Sequence, residues 1–171
     1  FNRSKALSTG LRNALLFGEH PALTDGRQTV SHKALLARAL HIASLLRQRG
    51  IRSQDRVAFL MPNGIGAVSM FNAAEVGGFI GVPLNWRLSP AEIIETLSDC
   101  SAKALIFDRS FLAVAEQLVV ASCAPEIIFC AQAGERFEAL EDAVNGVSAE
   151  RSWPLPTPDD LVYLIYTSGS S

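Results

Sequence analysis

RVAFLMPNGIGAVSMFNAAEVGGFIGVPL, residues 56–84, decides the architecture. The stretch is apolar almost throughout, but its texture changes twice. Residues 57–61 form a continuous apolar run of strand length, which Pro62-Asn63-Gly64 breaks. Residues 65–76 then carry the small and unbranched side chains of a buried helix, stopped by Gly77-Gly78, and 79–84 return to strand character. Residues 64–84 are also long enough to cross a bilayer. However, Asn72, Glu75, five glycines and a proline interrupt that stretch, so a core helix followed by a buried strand is the better reading, with no transmembrane segment.

Downstream the same grammar repeats. Ser89-Pro90-Ala91-Glu92 offers an N-cap, a proline at the first helical position and the acid of a capping box. That helix carries Ile93, Ile94 and Leu97 and ends near Asp99. A strand over 104–107, a helix over 111–121 and a strand over 127–130 follow. Strands alternating with helices at this spacing predict a mostly parallel β-sheet flanked by helices, an α/β fold of βαβ repeats. Phe137, Leu140 and Val144 suggest a short helix closed by Gly146. Pro154, Pro156 and Pro158 confine the segment before Asp160 to a surface connection.

Upstream, residues 1–20 read as an amphipathic helix with Leu7, Leu11, Leu15 and Leu16 at helical spacing. Asp25-Gly26 between two short strand-like runs predicts a hairpin. Ser31 caps a long helix to about Arg49, with Leu35, Leu36, Ala39, Ile42, Ala43 and Leu46 toward a core and Gly50 as its stop. The chain therefore divides into 1–50 (helix, hairpin, long helix), 51–146 (βαβ repeats), 147–160 (the Pro-rich connection) and 161–171, all within one α/β portion.

Composition narrows the function classes. The 171 residues are 49% hydrophobic and 19% charged, which is globular rather than disordered. Fifteen basic against seventeen acidic residues, unclustered, give a net charge of −2 and argue against nucleic acid as a partner. Cys100, Cys123 and Cys130 lack Cys-x-x-Cys spacing and read as reduced thiols of a cytoplasmic protein. The opening Phe1-Asn-Arg-Ser-Lys5 is too polar for a secretory signal. His20, His32 and His41 lie apart with no carboxylate or cysteine at ligand spacing, so they read as solvated or helix-surface residues. Glu75 reads as helix-edge or paired, and Asp159-Asp160 as strand-entry solvation.

The chain closes on Leu161-Val-Tyr-Leu-Ile-Tyr-Thr-Ser-Gly-Ser-Ser171. A β-rich run passes into a hydroxyl-and-glycine segment, as when a buried strand delivers a loop to a sheet edge. In Thr167, Ser168, Gly169, Ser170 and Ser171, the glycine lets successive N–H groups face one concavity, a nest that suits phosphate oxygens. The other reading of the same residues is a flexible Ser-Gly tail.

Four segments resemble the N-terminal portion of the acyl-adenylate-forming enzymes, the AMP-dependent synthetase and ligase family, of the acyl-CoA synthetase type. Thr29-Val-Ser-His-Lys-Ala-Leu35 is similar to the family's "T-Y-x-E-L" entry to a long helix, although His32 and Lys33-Ala34 depart from it. Asp55-Arg-Val-Ala-Phe-Leu-Met-Pro-Asn63 resembles its first core strand. Gly77-Gly-Phe-Ile-Gly-Val-Pro-Leu-Asn-Trp-Arg-Leu88 resembles "G-A-x-x-x-P-L-N-x-R-L". Tyr166-Thr-Ser-Gly-Ser-Ser171 resembles the first half of its phosphate loop, "Y-T-S-G-[ST]-[ST]-G-x-P-K-G".

The resemblance implies a two-step ligase using ATP, Mg2+ and coenzyme A. A carboxylate displaces pyrophosphate to give an acyl-adenylate, and a thiol then takes the acyl group. It implies that Thr167 to Ser171 begin the cradle for the ATP phosphates. Arg87 has two readings: an ordinary surface or capping arginine, which is favoured, or a guanidinium for a coenzyme A phosphate. No residue of these 171 is assigned as a catalytic acid, base or nucleophile, so the fragment alone is expected to be inactive and to bind MgATP poorly. Two alternatives stay open: an adenylation domain loading a carrier-protein thiol, and a noncatalytic α/β scaffold. An unpaired edge at 161–166 would promote self-association of the fragment.

Overall fold

The structure, a computed structural model, describes residues 9–26, 28–120, 124–132, 136–149, 157 and 159–167. Its first helix, α1 (Thr9–Phe17), ends three residues before the limit expected at 20; residues 1–8 lie outside the described residues. Leu15 and Leu16 are 70% and 66% exposed instead of facing a core. Helical phase explains this. A Cβ on Gly10 would lie 3.3 Å from the Asn72 side chain, so this side of α1 faces the body. At about 100° per residue, Leu15 and Leu16 point roughly 140° and 120° away from it.

Strands β1 (Pro21–Thr24) and β2 (Thr29–Ser31) pair antiparallel around Asp25-Gly26, as the hairpin signal predicts. Gly26 takes φ +85° there. Ser31 caps α2 (His32–Gln48) by accepting from the Ala34 N–H at 3.2 Å.

The βαβ body then runs β3 (Arg56–Leu60), α3 (Ile65–Gly77), β4 (Ile80–Pro83), α4 (Pro90–Cys100), β5 (Ala104–Phe107), a 3-10 turn (Arg109–Phe111), α5 (Leu112–Val120) and β6 (Ile127–Cys130). Every strand pairing in it is parallel, and the sheet order is β4-β3-β5-β6 with a fifth strand at the far edge. The strand pleat sorts the core into two layers. Val57, Phe59 and Met61 face α2 and α3, whereas Ala58 and Leu60 face α4 and α5. Each fully buried large side chain, such as Phe79, Phe107 or Leu97, contributes about 1.5–3 kcal/mol through the water-exposed surface it removes. Residues 64–84 are therefore core helix plus buried strand, and no helix among the described residues is long and apolar enough to cross a membrane. Cys100 and Cys130 are buried free thiols; Cys123 lies outside the described residues.

Two expectations need correction. The helix expected from Phe137 begins at Leu140, as α6 (Leu140–Asn145). Phe137 instead stacks edge-on against Phe107 at 5.1 Å, and β7 (Glu138–Ala139) extends the sheet before the helix starts. The strand expected over 161–166 is a single parallel bridge, Gly81 to Tyr163. It is not buried either: Leu161 and Ile165 are 59% and 60% exposed. Tyr163 and Leu164 pack toward opposite layers, while their neighbours have no strand beside them among the described residues.

Candidate functional site

In this sheet the connection after β3 passes to α3 on one face and that after β5 to α5 on the other. The order reverses across β3, and in open α/β sheets ligand groups gather outside the carboxyl ends of the strands at such a point. Three loops carry polar groups there. After β3 comes Pro62-Asn63-Gly64. After β5, Asp108 accepts from the Ser110 N–H and hydroxyl at 3.0 and 2.6 Å and from Gln132 at 2.6 Å. After β4, Asn85 Oδ1 accepts from the Arg87 N–H at 3.1 Å, and the Arg87 guanidinium lies 4.9 Å over the Trp86 ring. Arg87 is exposed, so its charged face is open to an anion. An open cleft lined by Ser98, Ser101, Lys103, Pro125 and Glu126 lies at the opposite end, where β5 and β6 begin.

The terminal segment enters beside β4. Gly81 donates to Val162 O at 2.9 Å and Leu164 donates to Gly81 O at 3.0 Å. Gly81 is suited to this approach, since a Cβ there would already lie 3.4 Å from the Tyr163 ring and 3.2 Å from Ala74. Side chains make the remaining anchors. The Gln54 amide donates to Leu161 O and accepts from Leu161 N–H, both at 3.0 Å. The Tyr163 hydroxyl donates to Glu75 Oε1 at 2.9 Å and lies 3.2 Å from Phe71 O, and its ring meets Phe71 edge-on at 5.1 Å. Burial, with the Glu75 carboxylate beside it, pushes the Tyr163 phenol well above its usual range. The Tyr166 hydroxyl donates to Asp99, near the end of α4; burial and that bond push it up to about 12.

Of the loop residues singled out in the sequence, Thr167 is exposed, and Ser168, Gly169, Ser170 and Ser171 lie outside the described residues. Arg87 and the terminal segment both belong to the β4 edge of the sheet. The three histidines are brought into no common site. His20 is exposed, His32 opens α2 beside Phe17, and His41 Nδ1 lies 2.8 Å from its own helix's Ala37 O. Asp160 accepts from the Thr157 N–H at 2.6 Å, a local turn contact. Among the described residues, no group of three or more His, Cys, Asp or Glu side chains could hold a metal ion. Sequence reasoning missed Gln54 and Asp99 as anchors, because a polar residue in an ordinary turn or helix end carries no signal of a partner more than sixty residues away. Glu75 did carry one: a carboxylate in an apolar helix must be paired.

A family profile described as "AMP-binding enzyme" matches residues 11–171. Over 161 residues the chain is 30% identical to a feruloyl-CoA synthase of Amycolatopsis sp., covering 94% of this chain and 30% of that protein. It is also 30% identical over 154 residues to the fatty acid–[acyl-carrier-protein] ligase ScoC of Streptomyces coeruleorubidus, covering 88% of this chain and 28% of that protein. Among solved structures, the inhibitor-bound N-terminal domain of FACL13 from Mycobacterium tuberculosis superposes with a TM-score of 0.82 at 25% identity, over 93% of this chain and 40% of that one. The chain thus spans about three tenths of the length of the curated relatives it matches.

Proposed function

The chain belongs to the AMP-binding enzyme family, and from that membership we propose that it is the N-terminal part of an ATP-dependent, AMP-forming carboxylic acid–CoA ligase. The observation that carries the reading is the family match over residues 11–171, which takes in all but the first ten residues and includes the hydroxyl-rich segment Thr167 to Ser171.

The chemistry assigns that segment its work. A carboxylate oxygen bonds to the α-phosphorus of ATP as the bond from that phosphorus to the bridging oxygen breaks, and pyrophosphate leaves with the electron pair. The thiol sulfur of coenzyme A then bonds to the acyl carbon and AMP leaves. The first step brings anions together, so it needs donors aimed at phosphate oxygens. Thr167, Ser168, Gly169, Ser170 and Ser171 would supply hydroxyl and backbone N–H donors to the ATP phosphates, and the exposure of Thr167 fits a group that must be reached by ligand. Magnesium bound to those phosphates would neutralise charge as pyrophosphate departs. Arg87, exposed and braced by Trp86, would meet a coenzyme A phosphate. The acid itself is selected elsewhere, and none of these residues serves as acid, base or nucleophile.

The likeness to ScoC favours a second acceptor, a carrier-protein thiol, over the noncatalytic scaffold. One assay addresses all three. The intact polypeptide is incubated with MgATP, labelled pyrophosphate and a panel of aromatic and fatty acids, and acid-dependent ATP–pyrophosphate exchange is expected. Adding coenzyme A or a phosphopantetheinylated carrier protein then identifies the acceptor by thioester formation. Absence of exchange with every acid overturns the ligase reading.

A further inference from the structure

Among the described residues the terminal segment makes a single bridge to the sheet, at Tyr163, and a ladder that short does not specify its own register. A slip of one residue would exchange Tyr163 and Leu164 between the two core layers. Three side chains from elsewhere hold the segment: Asp99 at Tyr166, and, nearer its start, Gln54 and Glu75. The Gln54 amide offers both a donor and an acceptor, as a peptide group does, and takes both backbone groups of Leu161 at 3.0 Å, while its NH2 also lies 3.4 Å from Gly78 O. Gln54 therefore acts as a one-residue substitute for a neighbouring strand. Its backbone sits at φ +64°, a region that glycine adopts freely and glutamine does not. A contact held against that strain identifies a position where the side chain matters more than backbone comfort. Two residues on, Glu75 takes the Tyr163 hydroxyl at 2.9 Å and also lies 3.5 Å from the Gly10 N–H, so it ties α1, α3 and the segment together.

We propose that Gln54 and Glu75 are positioning residues: through Leu161 and Tyr163 they fix the register of segment 161–167, and thereby where Thr167 is presented to the ATP phosphates. This rests on the ligase reading above. The consequence is specific, because a displaced loop weakens the hold on ATP without touching the acid.

Gln54→Gly in the intact enzyme separates this role from a structural one, since it removes the amide while relieving the strained backbone. The expected result is a melting temperature equal to or above wild type, a KM for MgATP raised about tenfold, as for loss of one well-made hydrogen-bonding grip, and a KM for the carboxylic acid within about twofold. Glu75→Ala should raise the MgATP KM likewise, and Glu75→Gln, which keeps an acceptor for Tyr163, should restore it. Hydrogen exchange of the amides at 162–167 should quicken in Gln54→Gly. An unchanged MgATP KM together with unchanged exchange overturns the proposal. So does an equal rise in both KM values, which would mark a general loss of structure. If wild type shows no acid-dependent turnover at all, the ligase reading fails, and the exchange measurement still decides whether Gln54 sets the register.

Discussion

Asp108 shows how one carboxylate organises the turn at a strand end. It closes β5, caps the 3-10 turn into α5 through Ser110, and reaches across to Gln132, whose Oε1 accepts from the Arg109 N–H at 2.8 Å. Burial pushes its carboxyl up, but the hydrogen bonds from Ser110 and Gln132 outweigh this and hold it below the ordinary aspartate value. Asp55 behaves in the same way at the other end of the sheet, where burial is outweighed by Lys103 at 2.7 Å and the Arg52 N–H at 2.8 Å. A carboxyl whose folded pKa is depressed stabilises the fold above its unfolded pKa and loses that contribution as pH falls through the folded value. Asp108→Ala should therefore cost about 1 kcal/mol at neutral pH, the usual scale for a lost cap. The gap from wild type should close as pH falls below the ordinary aspartate range, because the folded pKa is the lower of the two. Urea midpoints measured across that range check the sign, and a gap that widens on acidification contradicts it.

Helix α3 and its exit illustrate what elements require of single positions. Gly78 turns the chain at φ +67° and returns its N–H to Ala74 O at 3.0 Å. Gly77, one step earlier, is needed for space: a Cβ there would lie 2.8 Å from the Phe79 ring and 3.1 Å from Ala43 of α2. Gly77→Ala should lower stability by about 1–3 kcal/mol, the range for overpacking a core, in a thermal or denaturant melt; a neutral result would mean that α2 and α3 can part without loss. These signals were legible because they are local. The Gly-Gly stop, the Ser89–Glu92 capping box and the strands at 104–107 and 127–130 all emerge where the sequence places them. Legibility failed where the deciding contact is distant. β7 is two residues long with Glu138 held by Arg49, the residue that caps α2, so no periodicity announces it. The run at 161–166 has strand composition, but only Tyr163 and Leu164 find layers to enter.

At the scale of the whole molecule, the α/β body and its family were readable because motifs and buried runs are properties of sequence order. The candidate site rests on the chemistry of its motif and not on geometry, since Ser168 to Ser171 lie outside the described residues and Arg87 and Thr167 are placed by loops. The same edge carries a consequence for solution behaviour. The sheet's far side is closed by β7 and α6, with Arg38 of α2 and Arg49 just past its end paired to Glu141 and Glu138. The β4 side ends in the thinly paired segment 161–166, where Leu161, Ile165 and Tyr166 are exposed. Apolar side chains beside unpaired backbone groups form a template for edge-to-edge association. The 171-residue chain should therefore sediment with a weight-average mass that rises with concentration. Ile165→Lys should suppress the rise, because a charge on an edge obstructs pairing, while leaving the melting temperature nearly unchanged at this exposed position. Leu15→Lys on α1 serves as the control: it removes an equally exposed apolar group far from that edge in sequence and should leave association as it was. A wild-type chain that stays monomeric across the range, or a Leu15→Lys effect matching that of Ile165→Lys, would remove the edge as the cause.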